Sequence, residues 1–423
     1  MLWSAVRALA AYLLYGIVAL PLSNASPLYQ LDQVVVVARH GVRSPTDDHH
    51  YAALTGLEWP HWQVAAGYLT QHGYKGMVQQ GQYWREQWQR MGLSFNGCPA
   101  PQAISLWAAP DQRTRATGSA LLAGLYPGCK LTVDHSRYTQ DPLFDTVKMG
   151  LAKPDPVRIL QQIRTRMGTE SQLSSRYHSA ISDFRQALCS PHPPSCRFLN
   201  QPWTISITPR GQVKLGGPLS HAASMAESVR LAYSENLPLS AVAFGHVTTA
   251  NDVARLMALH AAKYDLVSDT QEYAKHGGSL LMRQIIDALT GGSTHYADRL
   301  NKPIVIFVGH DTNIAQLQTM LGFNWQLAQY PRNDIPPGGS LVFMRFHNVR
   351  SGQVFVQLRF MARSLDQWRK LTSLSTTQPL FSADYSVAGC FKDKGLSLCP
   401  MAVLINHARR ELVKDGDSVT LYQ

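Results

Sequence analysis

A chain of 423 residues with 45% hydrophobic and 16% charged positions has the composition of a globular protein that buries a core, which excludes a disordered chain. Its formal charge of +11 favours anionic partners. The basic residues are nevertheless scattered, no Lys/Arg run exceeds two, and no zinc-finger, RRM or basic-helix pattern is present, so nucleic acid is not expected as a partner and an anionic small molecule is.

The first segment, MLWSAVRALAAYLLYGIVALPLSNAS, carries Arg7, an apolar stretch from Ala8 to Leu20, and the small residues Ser23-Asn24-Ala25 at signal-peptidase spacing. The stretch is shorter than the ~20 residues that span a bilayer. It predicts a signal peptide over 1–25, cleaved after about Ala25, and a periplasmic or secreted protein with no stable membrane association once it is removed. In such an oxidising compartment the six cysteines become a disulfide framework with 15 possible connectivities. Pairing between sequence neighbours, Cys98 with Cys129, Cys189 with Cys196 and Cys390 with Cys399, is the simplest. There is no CxxC and no Cys/His cluster at ligand spacing, so no metal site is expected.

After the signal, strands and helices alternate: strand 32–38, an amphipathic helix around 75–91, strand 104–108, helix 112–125 and strand 131–135. Tyr83, Trp84 and Trp88 recur at helical spacing and read as core packing. From about 150 to 295 the periodicity turns helical, as in DPVRILQQIRTRM and ANDVARLMALHAAKYDL, broken by a Pro/Cys/Ser-rich loop at 189–203. Strands return at 302–310, 339–347 and 353–361, the second preceded by the turn Pro336 to Gly339. The pattern predicts an α/β fold in which both chain ends, 26–145 and 296–423, build one α/β domain around an inserted, mainly helical domain at 146–295.

Two fully apolar strands end abruptly in charge. Val34 to Val37 runs into Arg39-His40-Gly41, and Ile304 to Val308 runs into Gly309-His310-Asp311-Thr312. In open α/β sheets ligands bind beyond the carboxyl ends of the strands, so parallel neighbours would bring His40 and His310 to one crevice. A third strand, 104–107, leads into Asp111-Gln112-Arg113-Thr114-Arg115 and can add a guanidinium there. Converging arginines match phosphate oxygens. Gly41 is read as clearing space for the backbone to approach the ligand. An imidazole among such arginines is driven toward its neutral, nucleophilic form. A lone histidine at a strand end is more often structural than catalytic; the conjunction of motifs decides here. His246, in FGHVT without a neighbouring carboxylate or arginine, is read as structural.

Arg39-His40-Gly41-Val42-Arg43-Ser44-Pro45 resembles the RHGxRxP signature of the histidine acid phosphatases, and His310-Asp311 resembles their HD motif. The similarity continues through DQRTRATGSALLAGLYPGC, DPLF, GHDTNIA and PPGGSLVF, over most of 31–410, and most resembles the bacterial periplasmic branch of phytases and glucose-1-phosphatases. The resemblance implies an α/β domain with an inserted α domain, His40 as nucleophile and Asp311 as proton donor. It implies phosphate binding by Arg39, Arg43, Arg113 and His310, with Thr46 added at the threonine that family phytases carry after the signature.

The implied enzyme is an acid phosphomonoesterase acting through a phosphohistidine, without cofactor or metal, as a monomer on a small phosphomonoester. Asp311 protonated beside a neutral His40 implies an acidic working pH. Phytate is the first-choice substrate, and a sugar phosphate of the glucose-1-phosphate type, or a broad range of phosphomonoesters, the alternative. Two departures favour the alternative: Thr46 is followed by Asp47 and Asp48 where family phytases often have lysine, and Ala109 stands where an acidic residue is common. A phosphoglycerate-mutase-like transferase fits neither export nor paired cysteines, and a silent anion-binding protein would not need both His40 and Asp311.

Overall fold

The computed structural model describes residues 28–192, 195–208, 213–416 and 418–423. The signal segment predicted over 1–25 lies outside the described residues. Strands are β1 (Tyr29–Arg39), β2 (Ile104–Ala108), β3 (Asp134–His135), β4 (Ile205–Ile207), β5 (Val213–Leu215), β6 (Ile304–Gly309), β7 (Ser340–Asn348), β8 (Val354–Ala362), β9 (Phe381–Asp384), β10 (Phe391–Asp393) and β11 (Leu396–Pro400). All but β4 and β5 form one mixed sheet in the order β10-β11-β8-β7-β1-β6-β2-β3, with β9 also on β8. Both ends of the chain thus supply the sheet.

β1 sits between parallel β6 and antiparallel β7, and its side chains alternate between two cores. Val34, Val36 and Ala38 face a layer holding Trp84, Trp88 and Leu121, whereas Val35 and Val37 face one holding Leu281, Ile285 and Leu317. Burial on both faces explains the uninterrupted apolar run. The first layer contains helices Gln71–Arg90 and Gln112–Leu125; the second contains Gln271–Thr290 and Asp311–Leu321. Tyr83, Trp84 and Trp88 are buried as expected, and the two indoles stack 5.4 Å apart.

Between the two halves of the sheet the chain is mainly helical: Pro156–Met167, Glu170–Leu188, Leu219–Ser234 and Ala250–Lys263 precede Gln271–Thr290, with a π-helical turn at Tyr264–Ser268. The short antiparallel hairpin β4–β5 in this stretch was not foreseen. The helix expected from 75 begins at 71, because the Thr70 hydroxyl accepts from the Gly73 N–H and caps it. The strand expected over 131–135 shrinks to Asp134–His135, which pair only with Trp107 and Ala108 at the sheet edge. All three neighbour disulfides are formed: Cys98–Cys129, Cys189–Cys196 and Cys390–Cys399.

Candidate active site

β1, β6 and β2 are parallel neighbours in matched register, with Ala38 and Ala108 both opposite Val308, so their carboxyl ends finish on one edge. Each strand then releases its polar residues at that edge. The backbone fixes the first: the His40 N–H donates to the Gly309 carbonyl at 3.1 Å, the Gly338 N–H donates to the His40 carbonyl at 2.9 Å, and the Gly41 N–H donates to the Thr117 hydroxyl at 3.0 Å. The imidazoles of His40 and His310, 270 positions apart, stand 5.9 Å apart between ring centroids. The two strand ends thus bring both histidines to one edge of the sheet, as inferred.

The role read for Gly41 needs correction. A Cβ there would come within 2.8 Å of Met77 Cγ and 3.2 Å of the Gly73 carbonyl, so the missing side chain admits the helix Gln71–Arg90. Gly73 meets the same segment from the other side: its own Cβ would lie 2.1 Å from the Val42 carbonyl. These glycines let the helix clamp the RHGVR loop.

His40 is buried, with Nδ1 2.9 Å from the Gly41 carbonyl. A carbonyl only accepts, so Nδ1 carries the proton and the lone pair sits on Nε2. Burial, then the charges of Arg39, Arg43, Arg113 and His310, hold this imidazole well below its ordinary pKa. All four groups predicted to bind phosphate therefore act on the predicted nucleophile.

The arginines differ in their freedom. Arg39 is wholly buried, and its terminal nitrogens reach the Ile335 carbonyl and Glu227 at 2.5 Å each and Asp311 at 3.0 Å. Burial alone would lower its pKa, but Asp311 and Glu227 outweigh that and keep it charged. Arg43 donates to the Ser44 carbonyl at 2.7 Å, and burial lowers its pKa to about 10, still charged in acid. Arg113 pairs with Asp111 at 3.1 Å. The Nε of each is buried and meets no acceptor, as for several arginines elsewhere; what distinguishes these three is their convergence. Thr46 is exposed on the lip: a Cβ on Gly67 would lie 3.1 Å from its Cγ2 and 3.5 Å from Arg113 Nη1.

Asp311 opens the helix Asp311–Leu321, and its Oδ1 accepts from the Thr312 N–H at 2.9 Å. Burial pushes its carboxyl up, but Arg39, His40, His260 and His310 outweigh burial and hold it well below the usual carboxylate range. The expected protonated acid is thus a carboxylate in the free site, because Arg39 lies against it. Tyr264, in the π-helical turn, hydrogen-bonds Asp311, and burial raises the phenol far above its ordinary pKa, leaving the hydroxyl as donor.

Several site residues escaped the motif reading. Asp111 bridges His310 Nε2 and Arg113, each at 3.1 Å; the His310 hydrogen bond is the main force taking its pKa to about 2. Behind Arg39, Glu227 pairs with Arg230, which reaches Asp334 at 2.6 Å. Burial opposes ionisation of Glu227, yet Arg230 and Arg39 lower its pKa to about 2. A signal existed: Glu227 and Arg230, three apart, are the only Asp, Glu, Lys or Arg residues of their helix. His246 is exposed and takes no part in the cluster.

Residues 30–361 match the model of the histidine phosphatase superfamily, branch 2. The chain belongs to this superfamily. This histidine phosphatase is 30% identical over 408 residues to phytase AppA of Escherichia coli strain K12, covering 92% of this chain and 94% of that one. It is 29% identical over 384 residues to the glucose-1-phosphatase of Salmonella typhimurium strain LT2, covering 88% and 90%. Among solved structures it resembles the Klebsiella sp. ASR1 phytase, with a TM-score of 0.88, 33% identity and coverage of 93% and 99%. It also resembles the Hafnia alvei phytase in complex with myo-inositol hexakis sulphate, with a TM-score of 0.82, 32% identity and coverage of 92% and 98%. Among the described residues of the histidine phosphatase no helix is long and apolar enough to cross a membrane.

Proposed function

We propose that this histidine phosphatase is an acid phosphomonoesterase acting through a phosphohistidine, with myo-inositol hexakisphosphate as preferred substrate, outside the cytoplasm after loss of the 1–25 signal. The observation that carries the reading is the buried, neutral His40 with its Nε2 lone pair free, at the focus of Arg39, Arg43, Arg113 and His310. The phosphate sits among these four groups, with Thr46 at the lip. His40 Nε2 attacks phosphorus in line, Asp311 gives a proton to the departing alkoxide, and water then hydrolyses the phosphohistidine. The arginines supply the charge stabilisation of the transferring phosphoryl group.

Asp311 gains its proton with the substrate. A phosphate entering the cradle adds negative charge beside the carboxylate and counters the cations that hold it ionised, so its pKa rises in the complex. Arg39 acts here as clamp and charge together, since it already holds Asp311 and Glu227. The relatives' names support both phytate and glucose-1-phosphate as substrates, and the similarity to phytases in sequence and in solved structures favours phytate. Asp47 and Asp48 on the lip favour the smaller ester.

Phosphate release from p-nitrophenyl phosphate at acidic pH, lost in His40→Ala, tests the hydrolase. Rapid quench should trap an alkali-stable, acid-labile phosphoenzyme. Its absence where dephosphorylation limits turnover would remove the covalent mechanism. The ratio of kcat/KM for phytate and glucose-1-phosphate decides the substrate, and a ratio below one selects the sugar phosphate.

A further inference from the structure

The lip of the cradle holds a side-chain cluster that the phosphatase chemistry does not use. Immediately after Thr46 the chain reads Asp47-Asp48-His49-His50. It folds so that Asp47 Oδ1 lies 2.8 Å from His49 Nδ1 and 3.4 Å from His50 Nδ1, and one ligand atom from each of the three lies within 4.8 Å of the others. Successive side chains on a strand would point apart, but here the two imidazole centroids are 5.2 Å from each other. His221, from the first turn of the helix Leu219–Ser234, adds a third imidazole 5.5 Å from His50.

Zinc binds nitrogen and oxygen at ~2.0–2.2 Å in tetrahedral sites, which sets ligand atoms roughly 3.3–3.5 Å apart. One separation here equals that within a tenth of an ångström and another falls half an ångström short, so a cation could enter with small side-chain rotations. Two imidazoles with one carboxylate suit zinc, nickel or copper rather than magnesium or calcium. The absence of cysteine ligands and of familiar spacing hid this set in the sequence, where no metal site was expected.

We propose that Asp47, His49 and His50 bind one divalent transition-metal ion of the zinc class at the lip of the cradle, leaving a fourth position to water or a phosphate oxygen. The cluster sits at the lip because it directly follows Thr46, which faces Arg113 across Gly67: a Cβ on Gly67 would lie 3.1 Å from Thr46 Cγ2 and 3.5 Å from Arg113 Nη1. A bound dication would cancel the two negative charges of Asp47 and Asp48, removing the feature that disfavours a multiply phosphorylated ester.

Metal binding alone tests this, independently of the phosphatase reading. Untagged mature protein at pH 7.5, where imidazoles are available as ligands, is titrated with Co²⁺ and followed by visible absorption, with Zn²⁺ competition and calorimetry for stoichiometry. The expected result is one saturable site with four-coordinate Co²⁺ bands that Zn²⁺ abolishes. Loss of a mere outer-shell partner costs ~10–100-fold in affinity, so His49→Ala and His50→Ala should each weaken binding at least ~10-fold, with His178→Ala on an exposed helix face as control. Circular dichroism confirms that the variants fold. No saturable binding by wild type, or binding unchanged in the His49→Ala/His50→Ala double variant, would overturn the proposal.

Discussion

As the proposed proton donor, Asp311 must hold two protonation states, and its neighbours explain how. In the free site Arg39, 3.0 Å away, keeps it ionised, while the proposed catalysis with a poor leaving group needs its proton. Asp311→Asn keeps the shape and removes the proton, so phytate or sugar-phosphate hydrolysis should fall by the ~10²–10⁴-fold typical of general-acid loss. p-Nitrophenyl phosphate, whose leaving phenolate departs with little help, should suffer far less. Equal losses on both substrates would reassign Asp311 to positioning. Tyr264 tests the same carboxyl from the other side. A phenol donating to Asp311 stabilises the ionised form, so Tyr264→Phe should raise the carboxyl pKa and move the upper limb of the kcat profile to higher pH. An unmoved limb, with only stability changed, would make Tyr264 a packing residue. His40 and Asp311 were legible because each follows an apolar strand in a recognisable motif. Asp111, Glu227 and Tyr264 were not, because each acts through a partner that only the fold brings near.

At the scale of elements, the strands that carry chemistry were the easiest to read. β1 and β6 are runs of Val and Ile that end in polar residues, and burial on both faces makes such runs conspicuous. β3 and the β4–β5 hairpin were harder: two or three paired residues leave too little periodicity to register. The Cys98–Cys129 disulfide ties the segment before β2 to the residues after the helix Gln112–Leu125, so it braces the element that carries Asp111 and Arg113. Its separation is 31 residues, against 7 and 9 for the others. Loop-closure entropy makes the longer link worth about 1 kcal/mol more than either short one, within a typical ~2–4 kcal/mol per bridge. Cys98→Ser/Cys129→Ser should therefore lower Tm more than either of the other paired serine variants. A smaller drop would mean that the unfolded-chain argument does not govern this bridge.

For the molecule as a whole, buried titratable groups set a stability profile that suits acid. Desolvation raises Asp141 to about 6 and both Glu235 and Asp269 to about 7. For a carboxyl raised on folding, the native state binds the extra proton, so the contribution is fully present below the unfolded value near 4 and is lost as pH rises through 6–7. His260, lowered to about 4 chiefly by burial, and His40, also lowered by burial, act oppositely: the unfolded chain binds their protons first, and stability is lost as pH falls from about 6.5. Between about 4.5 and 6.5 the two sets largely offset each other. Above 6.5 the histidines no longer titrate, while Glu235 and Asp269 still lose protons, so stability should decline toward pH 8. Below 4 the ion-paired carboxylates Glu227 and Asp111, lowered to about 2, begin to protonate, and their contribution, present above about 4.5, is lost. Calorimetric Tm from pH 3 to 8 should show a plateau from about 4.5 to 6.5 that falls on both sides. A Tm that climbs steadily to pH 8 would mean that Glu235 and Asp269 ionise without cost in the folded protein, and that the buried carboxyls do not suit this molecule to acid.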